Sequence, residues 1–388
     1  MRYDFFVTVW GQHFVQKFID LSLFSQLAQG NIPALANDAD IHYHIYTDRA
    51  SEVLFRSNLL KLSTYAKIKF YYFDEIPYRD GTLEQAILNS EKGTIKHNVQ
   101  RITANHMLLG LEKSAAVLLD SDFILTDGSL ARMHALRVKG YQAVMVPLLR
   151  LNETSASPIL HRNMDFYVVA RNLVKLCLEH MHPILTKYFV DSEYSTSYPS
   201  QLNWWVNKSL QEPNVKAGII TQCLFPHPLM VEPDSLASDS GAKYFSTMDY
   251  DYAFRAVANN NAIHLSKNSN EILICKISPE KYRANSDTTD PLSEGRMAQF
   301  ILNNTNIRHR FFLDQVVSYV TEEDGDWDST SQKALQFVAE AYEIVDTMIG
   351  QSNISDPMTL VYLKSFLGPI EDFISPQVQS RIKNFLPN

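Results

Sequence analysis

Long apolar runs are missing from this chain. Nowhere in its 388 residues do 18 or more apolar residues follow one another, so no membrane span is expected. The opening MRYDFFVTVWGQHF lacks a long apolar stretch followed by a small-residue cleavage site, so no secretory signal is read there. Cysteine is scarce. Cys177, Cys223 and Cys275 are odd in number, far apart and without C-x-x-C spacing. That pattern fits buried free thiols in a reducing compartment and excludes a disulfide framework. An excess of positive charge is missing too: a formal net charge of −8 argues against coating nucleic acid or anionic lipid. The tail SRIKNFLPN carries two basic residues, too few to favour docking on a bilayer. A Walker-type phosphate loop, G-x-S-x-G and H-E-x-x-H are all absent. The expectation is a cytoplasmic protein, with peripheral attachment at the inner face of a membrane left open.

What is present is an ordinary globular composition, 45% hydrophobic and 20% charged, in a chain long enough for two or three domains. The first third alternates strand and helix signals. YDFFVTVWG reads as a strand ending at Gly11, after which Phe14, Phe18 and Leu21 fall on one helical face. DIHYHIYTD and AKIKFYYFD read as the second and third strands, with a helix around 50–62 between them. A further helix, about 97–112, leads into AAVLLD. Such alternation implies parallel pairing through right-handed crossovers, an open and mostly parallel α/β sheet with flanking helices. Ligands of such sheets bind beyond the carboxyl ends of the strands, and Gly11, Asp48, Asp74, Asp120 and Asp122 all fall there. From 140 to 290 the reading is a strand at YQAVMVPLL, a helix around 166–181, and loop-rich insertions including DSEYSTSYPSQLNWW and TQCLFPHPLMVEP. From Glu294 onward it turns helical. Leu335, Val338, Tyr342, Val345 and Met348 form one stripe, with Asp328 or Ser329 as N-cap and Gly350 as the stop.

The stretch KSAAVLLDSDFILTDGSL carries the chemistry. A short apolar run suited to a strand buried on both faces drives into Asp120 and Asp122, one residue apart. Two such carboxylates repel unless a cation, a partner or solvent takes up the charge. Oxygen ligands suit Mg²⁺ or Mn²⁺, which are commonly held by one or two carboxylates together with substrate phosphates. The structural alternative is an acid capping the helix that begins near Gly128, a role for which Asp127 is better placed.

The order FFVTVWG, HIYTD, LLDSDFILTDGSL resembles bacterial glycosyltransferases of the GT-A fold. The likeness covers about residues 1–290. It implies a GT-A-like domain over 1–293, with a donor-binding half near 1–150 and an acceptor-side half near 151–293, followed by a helical region over 294–388. It further implies a nucleotide-sugar donor, UDP-sugar favoured, and a divalent metal held by Asp120 and Asp122 against the donor diphosphate. By position, Thr8, Val9 and Trp10 would meet base and ribose, as would Thr47 and Asp48. Asp120 and Ser121 would contact the donor, and Lys96, Arg101 and His106 are candidates on the preceding helix. A late His would complete the metal site, with His227 and His264 the two choices. Asp249 and Asp251, set among aromatic residues, are the candidates for the base that takes the acceptor's proton; rings and carboxylates together suit sugar recognition. The alternative for these two acids is an N-cap. Trp204 and Trp205, being adjacent, must face different ways. The implied acceptor is a glycan, lipid-linked or protein hydroxyl, and dimerisation through the C-terminal helices is expected. Two rivals stay open: a haloacid-dehalogenase-type phosphatase, whose own Asp-x-Asp ends a strand, and a non-catalytic binding module on the same frame.

Overall fold

The computed structural model describes residues 1–55, 58–90, 96–109, 111, 114–209, 212–232, 252–257, 259–281 and 290–351. The chain divides into two compact units, Met1–His182 with Pro226–Tyr282, and Pro183–Phe225 with the described residues after 283. This division differs from the boundary expected at 293, because residues 183–225 pack with the later helices.

The first unit is built on a seven-stranded sheet. Its strands are β1 (Arg2–Thr8), β2 (Asp40–Thr47), β3 (Lys67–Tyr72), β4 (Ala115–Asp120), β6 (Ala143–Val146), β10 (His227–Val231) and β11 (Ile263–Leu265), in the spatial order β11-β6-β10-β4-β1-β2-β3. β1 runs parallel to β2 and β4, β2 to β3, and β11 to β6, while β10 is antiparallel to both its neighbours. The mostly parallel α/β sheet expected from the alternation is therefore present. One face of β1, β2 and β4 puts Tyr3, Phe5, Val7, Tyr43, Ile45, Val117 and Leu119 into a single core. Ala115–Leu119 is buried throughout, which explains why that strand tolerates no polar residue until its last position. A second, three-stranded sheet in this unit joins β5 (Phe123–Leu125), β12 (Ile274–Ser278) and β7 (Leu149–Asn152), with β12 in the middle.

The second unit holds the hairpin β8 (Gln201–Ser209) and β9 (Glu212–Cys223), extended by β13 (Val317–Val320). The first segment was expected to be loop. Its period-two pattern, Leu202, Trp204 and Val206 against Asn203, Trp205 and Asn207, makes it a strand. The adjacent tryptophans do face opposite ways: Trp204 meets Phe337 edge-on at 6.1 Å, and Trp205 stacks on Phe189 at 4.5 Å. β13 likewise interrupts a region read as wholly helical. Helices Glu294–Asn304 and Trp327–Gln351 cover this unit, burying Met297, Ile301, Phe337, Val338, Tyr342 and Val345 in one cluster. The long helix starts at Trp327 and passes through Gly350, and Leu335 is exposed rather than part of the buried stripe. The rest of the region expected to be helical, 352–388, lies outside the described residues.

Candidate functional site

The carboxyl ends of β1, β2 and β4 form the expected rim. Thr8 and Asp120 are register partners, and Thr8 is level with Tyr46 on β2. Asp120 ends its strand, Ser121 and Asp122 make the turn, and β5 follows at Phe123. The small sheet then adds charge. Lys276, at the middle of β12, is the register partner of Phe123 on one side and of Arg150 on the other. Register partners project from the same face of a sheet, so Lys276 and Arg150 stand side by side next to the acids. The Lys276 ammonium donates to Asp120 Oδ2 at 2.5 Å and lies 3.8 Å from Asp122 Oδ1. Gln100, on helix Lys96–Leu109, donates to the other Asp120 oxygen at 3.1 Å. Arg150 donates to Ser278 Oγ at 2.5 Å. Nearby, Lys17 pairs with Glu153 at 2.7 Å, and its charge reaches Asp122.

Electrostatics separates the two acids. Burial is the largest influence on Asp120 and acts to raise its pKa, but the charge of Lys276, then His227 and Arg150, outweighs it, so Asp120 is held below the usual carboxylate range. Asp122 goes the other way: burial, reinforced by the Asp120 charge, prevails over Lys276 and pushes it up. For Lys276 burial alone would favour the neutral amine, yet the two acids keep it protonated and raise its pKa. The repulsion implicit in the Asp-x-Asp sequence is thus relieved by a cation, and that cation is a lysine side chain.

The other expected residues are distributed as follows. Thr8 is buried, its hydroxyl 2.7 Å from that of Thr103 on helix Lys96–Leu109, and Val9 donates its backbone N–H to Tyr46 O. Trp10 is half-buried and meets Phe73 edge-on at 5.4 Å. Thr47 is buried, and its hydroxyl has no hydrogen-bond partner among the described residues. Asp48 accepts the Ser51 N–H and so opens the helix Arg49–Phe55, a capping duty. Ser121 is half-buried in the turn. Lys96 and Arg101 lie on the described helix, but their side chains fall outside the described set, and Asp249 and Asp251 lie outside it altogether. His227 lies near enough for its charge to lower Asp120, while its Nε2 donates to Leu118 O at 2.8 Å and its ring stands edge-on to Phe123. His264 does not join them: its Nε2 is 3.0 Å from Glu271, which Arg132 also holds, and its ring packs on Tyr141. His106 is placed elsewhere on the sheet face, 3.0 Å from Tyr46 OH, lining a cavity of about 620 Å³ with Asp4, His44 and Lys69. Asp127 accepts the Gly30 N–H, and the helix Ser129–Val138 begins at Gly128 without a side-chain cap.

A divalent ion held by Asp120, Asp122 and His227 or His264 does not fit this arrangement. Both Asp120 oxygens are engaged, Lys276 stands within reach of both carboxylates, and His264 belongs to another network. Among the described residues no group of three or more His, Cys, Asp or Glu side chains is placed to hold a metal. The residues that sequence reading missed are Lys276, Arg150 and Gln100. Lys276 carried a signal, being a single charge inside the apolar run ILICKIS.

No protein-family model matches the chain, and no curated protein matches it. Among solved structures it is similar to mouse xyloside xylosyltransferase 1 in its apo form, at 13% identity over 42% of this chain and 59% of that one, with a TM-score of 0.27. It is also similar to S. aureus TarS 1-349, at 9% identity over 95% of this chain and 79% of that one, with a TM-score of 0.33. Against a longer TarS structure the figures are 9% identity, 97% and 50% coverage and a TM-score of 0.32. The chain thus spans less than two thirds of the xylosyltransferase and half of the longer TarS chain. At these identities and TM-scores no activity is carried over.

Proposed function

We propose that the chain is a glycosyltransferase that moves a hexosyl or N-acetylhexosaminyl group from a nucleotide sugar, UDP-sugar favoured, to a hydroxyl of a glycan, lipid-linked or protein acceptor. The observation that carries this reading is the charged cluster Asp120, Asp122, Lys276 and Arg150 at the carboxyl end of the central strand, where open α/β sheets bind ligands. The buried Thr47 hydroxyl on the same rim, without a hydrogen-bond partner among the described residues, supports it, since a buried polar group without a partner calls for one. In transfer, the bond from the anomeric carbon to the diphosphate oxygen breaks and its electron pair leaves with the nucleotide. The acceptor oxygen bonds to that carbon and its proton goes to a base. Fixed cations beside the departing diphosphate stabilise the charge that develops. Thr8, Val9, Trp10, Thr47, Asp48, Lys96 and Arg101 are proposed for the donor and Asp249 or Asp251 for the base, with dimerisation through the C-terminal helices as part of the same reading.

Thermal shift against UDP- and GDP-sugars, followed by slow donor hydrolysis, tests this. Stabilisation by a nucleotide sugar is expected, with hydrolysis falling by roughly a hundred-fold or more in Lys276→Met, as removal of a cation beside the developing charge does. Indifference to every nucleotide would leave the non-catalytic module. One observation favours a second reading: a lysine touching the first acid of Asp-x-Asp suits a phosphatase with an aspartyl nucleophile. Turnover of p-nitrophenyl phosphate with Mg²⁺, lost in Asp120→Asn, would establish that reading instead.

A further inference from the structure

We infer that Lys276 is a built-in cation that stands in for a divalent metal at this rim and, with Arg150, holds the diphosphate of the donor; the inference rests on the glycosyltransferase reading above. The first ground is position. The ammonium is 2.5 Å from Asp120 and 3.8 Å from Asp122, the place an ion must occupy to relieve both carboxylates. The second is charge. Lys276 and Arg150 leave the same face of adjacent strands, so two fixed cations match the two carboxylates, the formal balance that a single divalent ion would give. The third is coordination. Asp120 has one oxygen on Gln100 and the other on Lys276, and displacing that ammonium would leave a buried charge without its partner, which is strongly destabilising.

The fourth ground is reach. The Lys276 side chain is 22% exposed, and an ammonium carries three donors, so a phosphate oxygen arriving from the open side meets a charge already oriented by the acids. Asp120 and Asp122 thereby become positioning residues: they fix the lysine, and the lysine meets the ligand. No co-reactant is needed, since the reaction still exchanges one carbon–oxygen bond for another and passes one proton to a base.

The test is calorimetric titration of UDP into the full-length chain, first in excess EDTA and then with Mn²⁺, alongside Mn²⁺ binding followed by electron paramagnetic resonance. UDP affinity unchanged by EDTA, and no Mn²⁺ uptake by the wild-type chain, are expected. Lys276→Met should weaken UDP roughly ten- to a hundred-fold, the loss of one charge-assisted hydrogen bond. It should also begin to bind Mn²⁺, because its acid pair has lost its counter-charge. Lys276→Arg should keep UDP binding in EDTA, and this variant and the wild-type arms decide the matter if the Met variant does not fold. UDP binding that appears only with Mn²⁺, or Lys276→Met binding UDP as tightly as wild type, overturns this inference and leaves the glycosyltransferase reading standing. Failure to bind UDP, GDP or their sugars with or without Mn²⁺ removes both.

Discussion

Glu271 shows how a single side chain sets a pH limit. Burial, the largest influence, acts to raise its pKa, but hydrogen bonds from His264 and Arg132 bring it down to about 2 from an ordinary 4.5. An acid whose folded pKa is depressed contributes stability that is fully present above its unfolded value and is lost as pH falls through the folded one. At pH 7 the network is therefore worth on the order of 3 kcal/mol, and this contribution should drain away between about pH 4.5 and 2. Glu271→Gln is expected to melt well below wild type at neutral pH and to converge with it near pH 2, as read by denaturation across that range. At this same scale Asp120 and Asp122 were legible in the sequence, because an apolar strand closing on two acids is a local pattern. Lys276 and Arg150 were not. Each is one charge in an apolar strand, 126 positions apart by number, and only strand register brings them together. His264 was misplaced for the mirror reason: its partner Glu271 lies close in sequence, and that local pair keeps it from the acids.

Among elements, the strands that alternate with helices were readable from periodicity alone, since burial on both faces leaves an unbroken apolar run. The hairpin of β8 and β9 was not, because half of its residues are polar and its first strand opens inside a stretch that reads as loop. Its geometry depends on Gly218. A Cβ there would come within 2.1 Å of the Tyr319 carbonyl oxygen and 2.7 Å of the Trp327 ring, neither of which can retreat without breaking the pairing of β9 with β13 or the packing of the long helix. Gly218→Ala should destabilise this unit by about 1–3 kcal/mol, the usual penalty for overpacking, visible as a lower Tm together with a change in the tryptophan signal of near-ultraviolet circular dichroism.

At the level of the whole chain, the second unit is assembled from two stretches, one on each side of Pro226–Tyr282. A boundary at 293 looked natural in the sequence because composition turns helical there; the discontinuity was invisible because hairpin and helices meet only in three dimensions. A chain ending at 293 would keep β8 and β9 but lose β13 and both covering helices, uncovering Leu202, Val206 and Ile220. Such a truncation is expected to aggregate rather than fold, as size-exclusion chromatography with light scattering would show, whereas a homogeneous monomer would contradict the assembly described here.

On β12, consecutive side chains alternate faces, with the Cys275 thiol 3.2 Å from that of Cys177 on one side and Lys276 among the acids on the other. Loss of one codon between Glu271 and Cys275, with the Glu271 end held in place, would exchange those two surfaces. A sulfhydryl would then face the acid pair while an ammonium was driven into a lightless apolar layer. Natural variants of this gene should accordingly accept length changes beyond Ser278 far more readily than within those five codons.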